Sequence, residues 1–386
     1  MPISRRPQIV IKVSKYCNLR CDYCYEFPHL GDKRRMSLDN IRALFENVKN
    51  SAAALSLTNV DFIWHGGEPM MIPIEFYHDV ARIQAEVLEG VEFKYINAVQ
   101  TNLTVLTDRH LALLKSGFFN DIGVSFDVYG DQRVDTRGRL KTDTVLNNLQ
   151  KLIDNQIGFG AIAVLARNTL PYVNEIYRYF DSLNINHRFL AYYRGVDDDQ
   201  VQRNGIDFDE LVGAHKSIFR EWLASETATP VDPIDDYVQF AVRHVSQAPV
   251  EPYDVSEQER VFIVDVNGDV FNVMESYDPE FCYGNLFSQP LTEIAASDGR
   301  RRANAQSKAR MRSLCGSCRY LGACPGVFAN NASDLEWDLT KARGCPIVPV
   351  LDDMVGAFEQ TNLRDLILRA SNGEAAADAH PALGVS

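Results

Sequence analysis

Three cysteines stand close together in Lys15-Tyr16-Cys17-Asn18-Leu19-Arg20-Cys21-Asp22-Tyr23-Cys24, directly behind an apolar run at Ile9–Ser14. Three thiolates on one loop suit three irons of a cubane [4Fe–4S] cluster, which leaves the fourth iron open to a small molecule. Zinc is the chemical alternative, but it prefers four ligands, and the next cysteine is Cys282; His29 would have to be recruited. A second group reads Cys315-Gly-Ser-Cys318, then Cys324 and Cys345, a C-x2-C-x5-C-x20-C spacing. Four thiolates can saturate an iron–sulfur cluster and leave no open iron, and the same spacing also fits a zinc ribbon.

Other polar groups fall where strands should end. In Trp64-His65-Gly66-Gly67-Glu68-Pro69 the glycines allow close approach of backbone to a ligand, and Glu68 can accept hydrogen bonds from an ammonium group. Gln100-Thr101-Asn102 closes the next run, and Ser125 and Asp127 close the one after that, facing the same site. Arg137 is a candidate for pairing with a carboxylate, since a guanidinium does so bidentately; Arg133 and Arg139 are its neighbours in type and place.

Positioning these groups requires a scaffold of strands followed by helices. Apolar runs suited to buried parallel strands lie at Ile9–Ser14, Val60–Trp64, Phe93–Thr101, Ile122–Phe126, Phe159–Leu165 and Arg188–Tyr192. Helical spacing intervenes at Leu38–Val48, with Ser37 as N-cap, at Thr107–Leu114 and at Val145–Ile153. This α/β order predicts a partial (β/α)6 TIM-like barrel whose loops after each strand share one face. An open barrel of this kind leaves a lateral mouth suited to a bulky substrate such as a peptide. Gly195–Gly205 reads as a polar connection and 207–247 as mostly helical. Asn267-Gly268 predicts a type I′ hairpin within Val261–Val273, Val348–Ala370 a terminal helix and Ser371–Ser386 a disordered tail. The expected domains are 1–240, the barrel with linking helices; 241–350, an auxiliary-cluster domain; and 351–386, the terminal helix and tail.

Composition limits the function classes. A formal net charge of −13 argues against a nucleic-acid surface, which needs a basic stripe. No apolar run approaches the roughly 20 residues that span a bilayer. Eight cysteines, mostly in two clusters, suit metal binding in a reducing compartment and a cytoplasmic location.

The C-x3-C-x2-C loop after the first strand resembles the signature of the radical S-adenosylmethionine (SAM) superfamily. The resemblance implies that the open iron chelates the methionine part of SAM and that one electron yields a 5′-deoxyadenosyl radical, which takes hydrogen from a substrate. It implies SAM contacts for Tyr23 (adenine), for Gly66, Gly67 and Glu68 (amino group), and for Gln100 and Asn102 (ribose), with Ser125 facing the site and Arg137 near the carboxylate. It also implies an electron donor such as flavodoxin or ferredoxin. The segment from Cys315 to Cys345 resembles the C-terminal SPASM extension of peptide-modifying members, here with one auxiliary [4Fe–4S] cluster: Val273 and Phe328 stand where the other cluster would find cysteines. Cys282 is then left over.

The reaction implied is maturation of a ribosomally made precursor peptide by a side-chain cross-link, a cyclophane-like C–C bond. Alternatives are anaerobic sulfatase maturation, in which Cys or Ser becomes formylglycine, a small-molecule radical dehydrogenase, and, from another class, a non-catalytic electron carrier. In the sulfatase-maturing class an Asp follows the hairpin cysteine, whereas Val273-Met274 stands here, with Glu275 one position late. Strands that begin by residue 9 leave no room ahead of them for a recognition domain. The peptide would be bound directly or through a separate recognition protein.

Overall fold

The computed structural model describes residues 2–193, 198–272, 277–326, 328 and 342–358. Strands β1 (Gln8–Ser14), β2 (Asn59–Gly66), β3 (Lys94–Thr101), β4 (Asp121–Ser125), β5 (Gly160–Leu165), β6 (His187–Ala191) and β7 (Val231–Asp232) pair in parallel, each with the next. All seven residues of β1 are buried, as a strand covered on both faces must be. Its alternate residues divide between two environments: Ile9, Ile11 and Val13 join the core under the helices, while Val10 joins Ile63, Ala98 and Ile263 inside the curved sheet.

The strand–helix alternation comes from α1 (Leu38–Ser51), α2 (Ile74–Val87), α3 (Asp108–Lys115), α4 (Thr142–Asp154) and α5 (Val173–Ser182). Ser37 caps α1 by accepting from the Asn40 N–H, as its sequence predicts, and Thr107, read as the start of the next helix, is the N-cap of α3. The later helices are α6 (Asp198–Asn204), α7 (Phe208–Ala224), α8 (Ile234–Ser246), α9 (Val255–Gln258), α10 (Leu291–Ala295), α11 (Asp298–Cys315) and α12 (Ile347–Phe358).

All six expected strands are present, and the sheet is larger than expected. β7 adds to one side, and β8 (Val261–Val264) lies parallel on β1 at the other. β9 (Asp269–Phe271) and β10 (Gly284–Asn285) then continue the sheet antiparallel, so that its order is β10-β9-β8-β1-β2-β3-β4-β5-β6-β7. The β8–β9 hairpin forms where expected, but its turn is not type I′. That turn needs positive φ at both central residues, and of this pair Gly268 alone has it, at 93°. The Gly268 N–H donates to the Asp265 carbonyl at 2.8 Å, giving an ordinary turn closed by a left-handed glycine.

The 195–205 stretch is not a plain connection, because 198–204 forms α6. α11 has no apolar stripe to announce it: its buried positions are Gly299, Arg300, Ala303, Asn304, Ser307, Arg310 and Cys315. Arg300 is fully buried and fixes this helix by donating to Glu259 Oε2 at 2.6 Å and to the carbonyls of Pro2, Val255, Ser256 and Ala295. The terminal helix is described to Phe358; its expected continuation, the tail and the 273–275 positions lie outside the described residues. Among the described residues, no helix is long and apolar enough to cross a membrane.

Candidate active site

The loop after β1 places Cys17, Cys21 and Cys24 on the wall of a cavity of about 1310 Å³ at the C-terminal ends of the strands. Cys17 Sγ accepts from the Leu19 N–H at 3.3 Å and faces Asn102 Nδ2 at 3.6 Å. The Glu26 N–H points at Cys24 Sγ. Burial pushes all three thiols up, Cys17 to about 12 with the Glu68 charge adding to the effect. Left to themselves these groups keep their protons, and a bound metal must displace them. The donor set fits a cluster: three cysteines, N–H groups aimed at sulfur, and an adjoining space for a ligand of the fourth iron.

Two elements hold this loop. From α6, Arg203 pairs with Asp22 at 2.8 Å, Asn204 donates to Asp22 at 2.8 Å, and Gln200 donates to the Cys24 carbonyl at 2.9 Å. Arg203 holds the Asp22 carboxyl below its ordinary range. From the end of β2, Gly67 donates its N–H to the Ser14 carbonyl at 2.8 Å, and Glu68 its N–H to the Tyr16 carbonyl at 3.0 Å. A Cβ on Gly66 would run into the Ser14 carbonyl, and one on Gly67 into those of Lys15 and Tyr16. The glycines line the cavity, yet what demands them is the close packing of β2 against the cysteine loop.

Glu68 is placed differently from expectation. Its carboxylate is buried behind the wall, accepting from the Met70 N–H at 2.8 Å, from Thr101 Oγ1 at 2.7 Å and from the Asn102 N–H at 2.7 Å. It ties the ends of β2 and β3 together, and it is not among the cavity-lining residues.

Gln100 and Ser125 meet inside the cavity, with Gln100 Nε2 donating to Ser125 Oγ at 2.7 Å. Gln100 Oε1 is buried against Gly123, where a Cβ would run into it, and has no hydrogen-bond partner among the described residues. Asn102 also lines the cavity and donates to Asn18 Oδ1 at 3.1 Å. Tyr23 is buried beside them. Its hydroxyl donates to Asp127 Oδ2 at 2.6 Å and accepts from Arg133 Nη2 at 2.7 Å, while Asp127 Oδ1 accepts from the Val164 N–H at 2.9 Å. Asp127 therefore anchors rather than reacts. Arg137 lies exposed on the turn beyond, where its backbone N–H donates to Asp135. It does not reach the cavity, whereas Arg133, six residues after Asp127 and buried, lines it and pairs with Asp127 at 3.1 Å.

Sequence reasoning missed a second polar group, although its signal is a lysine inside an otherwise apolar strand. Lys12 is fully buried and donates to Glu26 Oε1 at 2.5 Å and to the Tyr277 hydroxyl at 2.6 Å. Lys15 pairs with Asp265 at 2.9 Å, and its ammonium sits 4.0 Å from the Tyr277 ring centre. This group joins the cysteine loop to the segment after β9. Beside it, burial together with the Lys12 charge pushes His65 down to about 4.

Cys315, Cys318, Cys324 and Cys345 converge on one apolar gap, as their spacing predicts. Burial pushes Cys315 up to about 11 and Cys345 to about 12. Phe328 and Ile347 line both this gap and the large cavity, forming the partition between the two cysteine groups. Cys282 lines neither and faces the Gly284 carbonyl at 3.6 Å.

Residues 11–180 match the model of the radical SAM superfamily. The chain is 23% identical over 356 residues to a serine-type anaerobic sulfatase-maturating enzyme of Bacteroides thetaiotaomicron, covering 86% of this chain and 84% of that one. Among solved structures it resembles anSMEcpe with bound AdoMet and the Cp18Cys peptide, at a TM-score of 0.72 and 18% identity, over 96% of this chain and 99% of that one. It also resembles SuiB of Streptococcus suis bound to the precursor peptide SuiA, at a TM-score of 0.53 and 13% identity, over 75% and 64%. Residues 11–180 of the chain form a radical SAM domain. The protein is a radical SAM enzyme, and its cofactors are S-adenosylmethionine and iron–sulfur clusters.

Proposed function

We propose that this enzyme oxidises a peptide, with Cys17, Cys21 and Cys24 holding the radical-generating [4Fe–4S] cluster and Cys315, Cys318, Cys324 and Cys345 holding one auxiliary [4Fe–4S] cluster. The observation that carries the proposal is the large cavity of about 1310 Å³. It begins at the three-cysteine loop and ends at Phe328 and Ile347, the partition in front of the four-cysteine gap. Its volume exceeds the roughly 300–1,000 Å³ of a usual small-molecule site, leaving space for a peptide segment beside a bound cofactor. The related proteins bound to peptides support the same substrate class.

When bound, cofactor and cluster supply a carbon-centred radical that removes a hydrogen atom from the substrate. The protein's part is to bind and orient. Gln100, held by its amide to Ser125, and Asn102 and Tyr23 shape the same wall, and Arg133, paired with Asp127, places a guanidinium beside it for a carboxylate. Gly66 and Gly67 keep the cysteine loop in register with β2. In this reading 1–240 carries the radical chemistry, 241–350 the auxiliary cluster and 351–386 the terminal helix and tail.

The reaction we favour is a cross-link between side chains of a precursor peptide. Formylglycine formation, suggested by the Bacteroides relative, is the second reading. Both remove hydrogen, but only formylglycine gives an aldehyde, so trapping the product with a hydrazide separates them. Iron content tests the cluster assignment: anaerobically reconstituted protein is expected to hold about eight irons per chain. About twelve would require a further cluster, and about four with one zinc would assign the four-cysteine site to zinc instead.

A further inference from the structure

A peptide oxidation that begins with loss of a hydrogen atom must also release one electron and one proton, and the proton needs an acceptor in the cavity. Most acidic groups near it are already engaged. Asp127 and Glu68 are held by three donors each, and Asp278 caps a short helix turn; Glu26 is engaged through Oε1 by Lys12 and Tyr277, and although burial opposes it the Lys12 charge holds this carboxyl below its ordinary range. Burial drives His65 and His215 down to about 4, so neither holds a proton near neutrality.

Asp236 is different. It lies in the first turn of α8, lines the cavity, and its carboxylate makes no hydrogen bond with any described residue. Strand register fixes its surroundings. Ser125, Ile162, Arg188 and Asp232 are successive partners across β4, β5, β6 and β7, and the first three project into the cavity. At about 4.8 Å per strand, Arg188 stands about 10 Å from Ser125 along the cavity wall. Arg188 is committed to Asp232 at 3.1 Å.

We propose that Asp236 is the base that receives the substrate proton during this oxidation, an inference that rests on the peptide-oxidase reading above. The substrate C–H bond loses its hydrogen atom to the radical supplied by the cofactor. For an aldehyde precursor the resulting substrate radical would lose a proton to Asp236 Oδ and an electron to an iron–sulfur cluster of the auxiliary kind; for a cross-link it would first form the new C–C bond, and the second C–H broken would then supply the same proton and electron. The substrate is oxidised by two electrons in all, and the balance is the same for a cross-link as for an aldehyde precursor.

The electrostatics suit this role. Burial, and then the charge of Asp232, push Asp236 up to about 6, against the opposing pull of Arg188 and Arg243. The charged and titratable groups around it are Asp232 from β7, Arg188 from β6, and Asp235, Tyr237 and Arg243 from α8, with His215 of α7 packed on the Tyr237 ring. On α12, Asp352 and Asp353 are paired instead with Arg319 and with Lys216 and Arg220.

The test has two arms, both on anaerobically reconstituted holoenzyme. The first uses two synthetic peptides, one containing cysteine and one with paired aromatic and aliphatic residues. Each is assayed for deoxyadenosine and for oxidised product across pH 5 to about 8.5. In the wild type, product per deoxyadenosine should rise through about pH 6; Asp236→Asn should lower that ratio at least tenfold and flatten its pH profile, with Asp236→Glu restoring part of both. An unchanged ratio or an unchanged profile in Asp236→Asn overturns the assignment. If the wild type oxidises neither peptide, the peptide-oxidase reading is what has failed, and the second arm judges Asp236 alone. A folded-state value above the ordinary carboxyl range means that folding loses stability as pH rises from about 4 through about 6. Asp236→Asn is therefore expected to melt several degrees higher than wild type at pH 7.5 and at the same temperature at pH 4. Equal melting at both pH values would show that the carboxylate is not held ready as a base.

Discussion

Replacing any one of Cys17, Cys21 or Cys24 by alanine is expected to abolish release of deoxyadenosine and methionine, with iron content falling from about eight to about four per chain. The size of the effect follows from the arrangement. The three thiols are the cysteines on the cavity wall, and every hydrogen bond aimed at the loop positions them rather than replaces them. With two anchors left, a cubane has two iron corners without protein ligands and is lost. Cys282→Ala serves as the control: its sulfur faces the Gly284 carbonyl away from both cysteine groups, and neither iron content nor cofactor cleavage should change. Deoxyadenosine formation near the wild-type rate in any of the three single variants would remove the basis of the site.

The second large effect is expected from changing Cys315, Cys318, Cys324 and Cys345 together to alanine. Oxidised product should fall far more than deoxyadenosine, because the radical is generated at the opposite end of the cavity while the four-cysteine group stands behind Phe328 and Ile347. The change also removes metal ligands that tie Cys345 to the end of α11, so folding must be verified first. The fully buried Arg300 and its contacts with Glu259 and Pro2 lie outside the cysteine gap and should keep α11 anchored. Circular dichroism and retention of about four irons establish that the variant is folded. Product at the wild-type rate from such a variant would leave the oxidation without its electron acceptor.

The parts of this fold that depend on local pattern were legible. Apolar runs located six strands to within about two residues, because buried parallel strands carry continuous hydrophobic sequence. Both cysteine groups could be read because their ligands sit close in sequence. What escaped depends on register and long-range contact. β7 has two residues, and β8 joins β1 across some 250 residues of chain, which no periodicity reveals. α11 buries arginine, asparagine and serine instead of leucine, so it carries no amphipathic signal.

The corrections at the site have the same origin. Arg137 and Arg133 are indistinguishable by type, and only the path of the chain after Asp127 carries one into the cavity and the other to the surface. Glu68 could be recognised as a carboxylate at a strand end, but not as one surrounded by three protein donors. Lys12 did leave a mark, a charge in the middle of an apolar strand. Such a residue is seldom buried without a partner, and Glu26, fourteen positions later, supplies one.

The most direct test of the central claim follows hydrogen from substrate to cofactor. Reduced, reconstituted enzyme is incubated with S-adenosylmethionine and a peptide deuterated at its side-chain carbons, and the deoxyadenosine formed is analysed by mass spectrometry. The proposal predicts deuterium in the deoxyadenosine, formed together with methionine, and a peptide that has lost hydrogen in matching amount. Deoxyadenosine free of deuterium with the peptide unchanged, for every peptide that binds, would contradict a peptide-oxidising role for the cavity between the two cysteine groups.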